Sequence, residues 1–506
     1  MKLYRPYGMY LHGPKVIFAN GQYHLFHALC KHFPKRSMSV KGYGHAVSDD
    51  LITWRQLPTA LKAGPPGAWD DKFADTGVCE KDGKFYLLYT GRSTSDTGEG
   101  GVKYSVDRLG LAVSDDLITW KKHPCNPVLE ADPEYYEADH RDSPDYNHVA
   151  WRDPGLYYDR KSGWMYAFIC ARVNWGPGTQ RGCVGVARSR DMVKWECLPP
   201  VYHPKKGICI EIPRVTKVGE KFVMTMRVGG NIPHTDGHAH EIAICSDDLL
   251  SWDPKAKVTH LVEQPWRYTD YRKWYGISYC SYALVRRGKS YADFVHQSNE
   301  RVRSGSFPDG KKDLGSGRVA LPKKLLLGPD DTVELKIREE FLPDASCRVD
   351  KEDIDLAEGW TWMDDTLASG EGILLVGKTG DIAVSVDVEQ EATASAGIVI
   401  GLDRKFTRGM WYTLEEGGKF LKITDIETGE ILKAELKPQK GRNQLCLALC
   451  DLHTETYFNH EFIASTVFRK FYSLNAPRYL GLTAKREACF SNLRIKESPW
   501  EHTYIK

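Results

Sequence analysis

AVSDDLITW occurs twice in this chain without a change, at Ala46–Trp54 and Ala112–Trp120. Looser copies follow as ARSRDMVKW (Ala187–Trp195) and AICSDDLLSW (Ala243–Trp252). In each copy a short apolar strand meets a polar S-x-D-L or S-x-D-M turn, then a tryptophan that can pack beneath it. Between the copies lie hairpin signals such as EKDGKFYLLYTG (Glu80–Gly91) and DRKSGWMYAFIC (Asp159–Cys170). Units of four short strands, repeated at this kind of spacing, are what propeller blades require. Four copies and a fifth unit from Trp274 to Leu327 predict a five-bladed β-propeller. After ALPKKLLLGPDDTVELKI (Ala320–Ile337) the repeat stops. Alternating segments such as GILLVGKTGDIAVSVDV and WYTLEEGGKFLKI then predict a β-sandwich. The expected fold is all-β, with a propeller domain over 1–337 and a concanavalin-like sandwich over 338–506.

Composition narrows the partners. The 506 residues carry 69 Lys and Arg against 67 Asp and Glu. That balance, with no basic run, argues against nucleic acid or a membrane surface as partner. No apolar stretch approaches the roughly 20 residues of a membrane span. Met1 is followed by polar and aromatic residues rather than a basic-then-apolar leader, and the 13 cysteines lack CxxC spacing. The expectation is a cytoplasmic protein with buried free thiols, although a secreted protein trimmed of its leader would read the same. Aromatic residues make up 11% of the chain, enough to fill β cores and to supply platforms for sugar rings.

A series of segments, in order, resembles glycoside hydrolase family 32, the β-fructofuranosidases, invertases and fructan hydrolases. YHLFHAL…GYGHAVSDDLITWRQLPTAL (Tyr23–Leu61) is similar to the family's Y-H-L-F-Y-Q…W-G-H-A-x-S-x-D-L-x-x-W stretch. GAWDDKFADTGV holds a counterpart of its W-x-D segment at Trp69, and WRDPG holds its R-D-P as Arg152-Asp153-Pro154. CIEIPRV stands where the family has E-C-P, giving Glu211 and Pro213, and TDYRKWYGISY, with Asp270 and Tyr271, is similar to D-Y-G-x-x-F-Y-A. RVALPKKLLL and LALCDLHTETYFNHEFIAS resemble the propeller-closing run and the sandwich module.

The resemblance implies a funnel at the propeller axis that holds three acidic groups. The Asp of N-D-P-N-G attacks the anomeric carbon, the Asp of R-D-P stabilises the sugar in the transition state, and the Glu protonates the leaving oxygen. A retaining glycosidase needs such a set because a nucleophilic carboxylate and a carboxylic acid must flank an oxocarbenium-like transition state. The acid also needs a raised pKa. Asp153 and Glu211 match the second and third groups. The first is missing: counting back from the Asn20-Gly21 hairpin places it on His12, and a one-residue gap places it on Gly13.

The candidate catalytic residues are therefore Glu211 as general acid, Asp153 as stabiliser, and His12 and Asp75 as replacements for the lost nucleophile. Asp75, in FADTGV, stands where the family has an aromatic residue; a turn role is its alternative. The substrate-binding candidates are Arg152, His45, Trp69, Asp270 and Tyr271, with core packing as the alternative for His45. HTDGHAHE brings His234, His238 and His240 together, but the resembling family needs no metal, so no metal and no cofactor are expected. The function read from these residues is an atypical glycosidase acting on small oligosaccharides or glycosides, fructofuranosides or another furanoside among them. The alternatives are a catalytically silent sugar-binding propeller and an altered reaction, elimination or transglycosylation, at the same site. The partner is a small carbohydrate, and homo-oligomerisation is left open.

Overall fold

The structure is a computed structural model. It describes residues 4, 6, 9–31, 42–93, 95–96, 104–142, 146, 148–228, 240–262, 277–286, 290–299, 305–306, 312–313, 317–380, 382–403, 405–426, 429–450, 453–467 and 478–497. The described part is nearly all β. Asp270, Tyr271, His234 and His238 lie outside the described residues, as does the side chain of His240.

The repeated turn explains why each unit closes on itself. Ser48 Oγ accepts the Leu51 amide at 2.9 Å, and the Asp50 carboxylate accepts the amides of Ile52 and Thr53 at 2.8 and 2.7 Å. The Trp54 indole then donates to the Leu51 carbonyl at 3.1 Å. The bonds accepted by the Asp116 carboxylate and donated by the Trp120, Trp195 and Trp252 indoles repeat this pattern. Leu51, Leu117 and Met192 sit in the left-handed region, at φ 68°, 64° and 69°, a conformation costly for bulky residues. The side-chain caps on both sides hold it in place.

Four such units form four antiparallel sheets of four strands, each in sequence order. Their first strands are Met9–Ala19, Lys72–Lys81, Trp151–Asp159 and Ile210–Val218. A further strand, Ile277–Arg286, opens the next group. These first strands lie against one another in order, and Ile277–Arg286 lies against both Ile210–Val218 and Met9–Ala19. Glycines permit the close approach. A Cβ on Gly77 would stand 2.5 Å from the Pro154 carbonyl oxygen, and one on Gly155 would stand 2.1 Å from that of Pro213.

Each first strand is broken by a β-bulge. The register shifts between His12 and Lys15, Phe73 and Thr76, Arg152 and Gly155, Glu211 and Arg214, and Ser278 and Tyr282. Bulges bend a strand and re-aim its side chains. All four candidate catalytic residues lie at or beside one.

The C-terminal part packs two sheets face to face. One contains Ile382–Gln390, Asn443–Cys450 and Ala488–Glu497; the other contains Ser395–Leu402, Met410–Glu415 and Tyr479–Lys485. Val384, Val386, Leu445, Ile398, Tyr412 and Leu482 fill the space between them. The strand Val333–Ile337 pairs with Lys323–Leu327 on one edge and, through Lys336 and Glu461, with Glu461–Val467 on the other. One sheet therefore runs across the boundary expected at residue 337. Beneath this junction Lys323 donates to Glu455 at 2.6 Å, both fully buried, and Tyr457 also donates to Glu455. Among the described residues no helix is long and apolar enough to cross a membrane.

Candidate active site

Three of the bulges share one local pattern, a residue with left-handed φ followed by proline. They are Gly13-Pro14 (φ 66°), Asp153-Pro154 (φ 59°) and Ile212-Pro213 (φ 53°). In this frame His12, Arg152 and Glu211 each stand one residue before the left-handed position. The frame explains how three strands aim functional groups at one place: each shifts its register by one residue at the same kind of bulge and pairs regularly on either side.

Arg152 organises the centre. Its Nη2 donates to Glu211 Oε1 at 2.9 Å, and its Nε lies 3.6 Å from Asp153 Oδ2. Nε and Nη2 form one edge of a guanidinium, so the two carboxyl groups lie side by side along that edge. Nη1 lies 3.6 Å from Asp107 Oδ2, and Asp107 is held in turn by Arg92 at 2.7 Å and His148 at 2.6 Å. Arg152, expected as a substrate contact, is thus engaged with the protein's own carboxylates.

The two neighbours on Arg152 differ. The Glu211 side chain is 29% exposed and that of Asp153 is 8% exposed. Burial alone would raise Glu211, but Arg152 and Arg227 hold it below the usual carboxylate range. Burial pushes Asp153 up to about 7; Arg152 opposes this, and the charges of Asp75 and Glu211 add to it. The raised value expected for the acid therefore falls on Asp153. Two acids sharing one cation titrate as a pair; with Asp153 raised to about 7 and Glu211 held low, the pair is partly protonated near neutral pH. Behind Glu211, burial pushes Glu241 up to about 8 against the pull of Arg227. Glu241 lies opposite Arg227 in the adjacent strand.

Asp75 occupies a different setting. Its Oδ2 lies 2.9 Å from Lys15 Nζ and 3.2 Å from Arg214 Nη2, and its Oδ1 accepts the Thr76 amide at 2.9 Å. Asp75 and Lys15 are both buried. Arg214 Nη1 also donates to the Asp153 carbonyl at 2.8 Å, which ties the two carboxylate settings together. Burial and Arg214 bring Lys15 down to about 8, against the pull of Asp75. His12 is half-buried, and burial pushes it down to about 4 despite the nearby charge of Asp75. Its imidazole is neutral near pH 7.

The structure draws Arg152, Asp153, Glu211, Asp75 and His12 into one electrostatic cluster. The other two described candidates take up packing roles. His45 is buried, hydrogen-bonds His24 at 3.1 Å and stacks on Phe26 with ring centroids 4.4 Å apart. That arrangement matches its core alternative rather than a substrate contact. Trp69 stacks on Tyr89, whose hydroxyl donates to Asp70. Among the described residues no group of three or more metal-ligating side chains occurs. Lys15, Arg214, Arg227 and Glu241 escaped the reading of the sequence. Two of them had a visible signal: Lys15 closes YLHGPK, and Arg214 follows directly on Glu-Ile-Pro.

Residues 9–281 match the family model described as the glycosyl hydrolases family 32 N-terminal domain. Among curated proteins, the chain is 26% identical over 331 residues to "Beta-fructofuranosidase, insoluble isoenzyme 7" of Oryza sativa subsp. japonica, covering 62% of this chain and 50% of that protein. It is 27% identical over 201 residues to "Fructan 6-exohydrolase" of Beta vulgaris, covering 38% and 29% respectively. The match thus spans half or less of the length of these relatives. Among solved structures, the Bombyx mori β-fructofuranosidase BmSUC1 superposes with a TM-score of 0.69 at 18% identity, covering 98% of this chain and 94% of that one. The exo-inulinase of Aspergillus awamori superposes with a TM-score of 0.69 at 16% identity, covering 98% and 96%. The family model covers more than half of the chain, and the fold agrees over nearly all of it: the chain belongs to glycoside hydrolase family 32.

Proposed function

We propose that the protein is a glycoside hydrolase acting on small oligosaccharides or glycosides that carry a furanoside, fructofuranosides first among them. Its site lies at the axis of a five-bladed β-propeller followed by a β-sandwich. The observation that carries this reading is the pairing of Asp153 and Glu211 along one edge of Arg152, at the bulges of adjacent first strands. A glycosidase needs a carboxyl that still holds a proton close to one that does not, and this pair meets that need. Glu211, the more exposed member, reaches the leaving oxygen with the pair's proton; Asp153 stabilises the charge that develops on the sugar. The relatives named for β-fructofuranosidase and fructan exohydrolase activity support the choice of sugar class.

The absence of a carboxylate at residues 12 and 13 favours one other reading, a propeller that binds sugar without turning it over. Incubation with sucrose, short fructans and aryl furanosides, followed by product analysis, separates the two. Turnover by the wild type, and a loss of roughly 10²–10⁴-fold in Glu211→Gln with binding kept, is the expected result. Binding without turnover by the wild type establishes the silent propeller. Equal rates in mutant and wild type overturn the role given to Glu211.

A further inference from the structure

The pattern of the bulges shows what fills the place of the missing carboxylate. Gly13-Pro14 stands in its bulge as Asp153-Pro154 stands in its own, left-handed residue then proline. By that frame, the Asp-Pro of the family pattern falls on Gly13-Pro14, and His12 precedes it. A Cβ built on Gly13 would meet Asp75 Oδ1 at 2.5 Å and Asp75 Cγ at 3.1 Å. The carboxylate of Asp75, from the neighbouring first strand, therefore occupies the volume that a side chain at residue 13 would need. The two positions compete: a side chain at 13 would have to displace the Asp75 carboxylate from its places on Lys15 and Arg214.

Resting on the proposed glycosidase reading, we infer that Asp75 is the catalytic nucleophile, a carboxylate delivered from the second sheet into the slot left open by Gly13 in the first. Lys15 and Arg214 position it and face its carboxylate with two cations. In the first step an Asp75 oxygen bonds to the anomeric carbon while the glycosidic C–O bond breaks. The electron pair of that bond goes to the leaving oxygen, which takes the proton held by the Asp153–Glu211 pair. Water then cleaves the sugar ester, its proton returns to the pair, and Asp75 leaves as a carboxylate. His12, neutral beside them, is left to bind a substrate hydroxyl. The outcome is retention at the anomeric centre, because the two displacements, by Asp75 and then by water, each invert it.

The test uses the full chain and an aryl furanoside that the wild type turns over. Product NMR before mutarotation shows the retained anomer first. Asp75→Asn, which keeps the shape of the side chain, lowers kcat by roughly 10³-fold or more. Asp75→Ala with added azide yields a glycosyl azide of inverted configuration, which a merely structural Asp75 would not allow. Moving the carboxylate, as Gly13→Asp with Asp75→Ala, restores at least part of the lost turnover. Mass spectrometry of wild-type protein quenched during turnover finds the sugar on the peptide that contains Asp75, a readout independent of how any variant folds. An inverted product, near-normal turnover by Asp75→Asn, or a sugar adduct on the Glu211 peptide overturns the assignment while leaving the glycosidase reading intact. A wild type inactive on every furanoside overturns both.

Discussion

Glu241 shows most directly how the protein's charges are balanced at single residues. It is buried opposite Arg227, and its carboxyl is raised to about 8 in the folded state. An unfolded glutamate titrates near ~4.3, so between these values the folded state binds more protons than the unfolded one. Glu241 thus contributes stability that is present below about pH 4 and lost as pH rises towards 8. Glu241→Gln should flatten this part of the stability-against-pH curve, measured by urea unfolding at a series of pH values; an unchanged slope would remove Glu241 from the balance. At this scale the sequence showed part of the site. Asp153 and Glu211 were legible because each sits in a short ordered motif. The partners of Asp75 were not: Lys15 and Arg214 belong to two other sheets, and only the packing of three first strands brings them to it.

At the level of strands and turns the fold was easier to read, because its determinants are local. The S-x-D-L-x-x-W turn is made by hydrogen bonds among residues two or three apart, so its copies carry their structure with them. The contacts between first strands are less visible, since they depend on an absent atom. Gly155 illustrates this: a Cβ there would lie 2.1 Å from the backbone oxygen of Pro213. Backbone cannot move aside as a flexible side chain does, so Gly155→Ala should destabilise the protein by about 3 kcal/mol, at the upper end of overpacking costs. Gly83→Ala is a useful control, since a Cβ there has open space around it although its φ of 74° adds a modest strain. Equal thermal shifts for the two would show that backbone conformation, and not strand approach, sets the cost.

In the molecule as a whole, the boundary drawn at residue 337 from the end of the repeats falls within a continuous sheet. The sheet continues through Val333–Ile337 into the C-terminal part, and Lys323 and Glu455 pair beneath it with no exposure to water. The sequence hid this link because a lysine and a glutamate far apart in the chain look like ordinary surface charges. Removing one partner strands the other, so Lys323→Met should cost about 3–5 kcal/mol. Adding Glu455→Gln in the same chain should recover much of that loss, and both variants are compared by urea unfolding. A single mutant as stable as the wild type would show that the pair does not hold the junction. The bulges carry a consequence of another kind. Each interrupts its strand where the first strands meet, and the ladder behind it resumes as regular antiparallel pairing shifted in register. Neighbouring bulges also lie close enough for one to fill a gap in the next. Such a scaffold lets one point where first strands meet be filled from either of two neighbouring strands, as Asp75 fills the space beside Gly13.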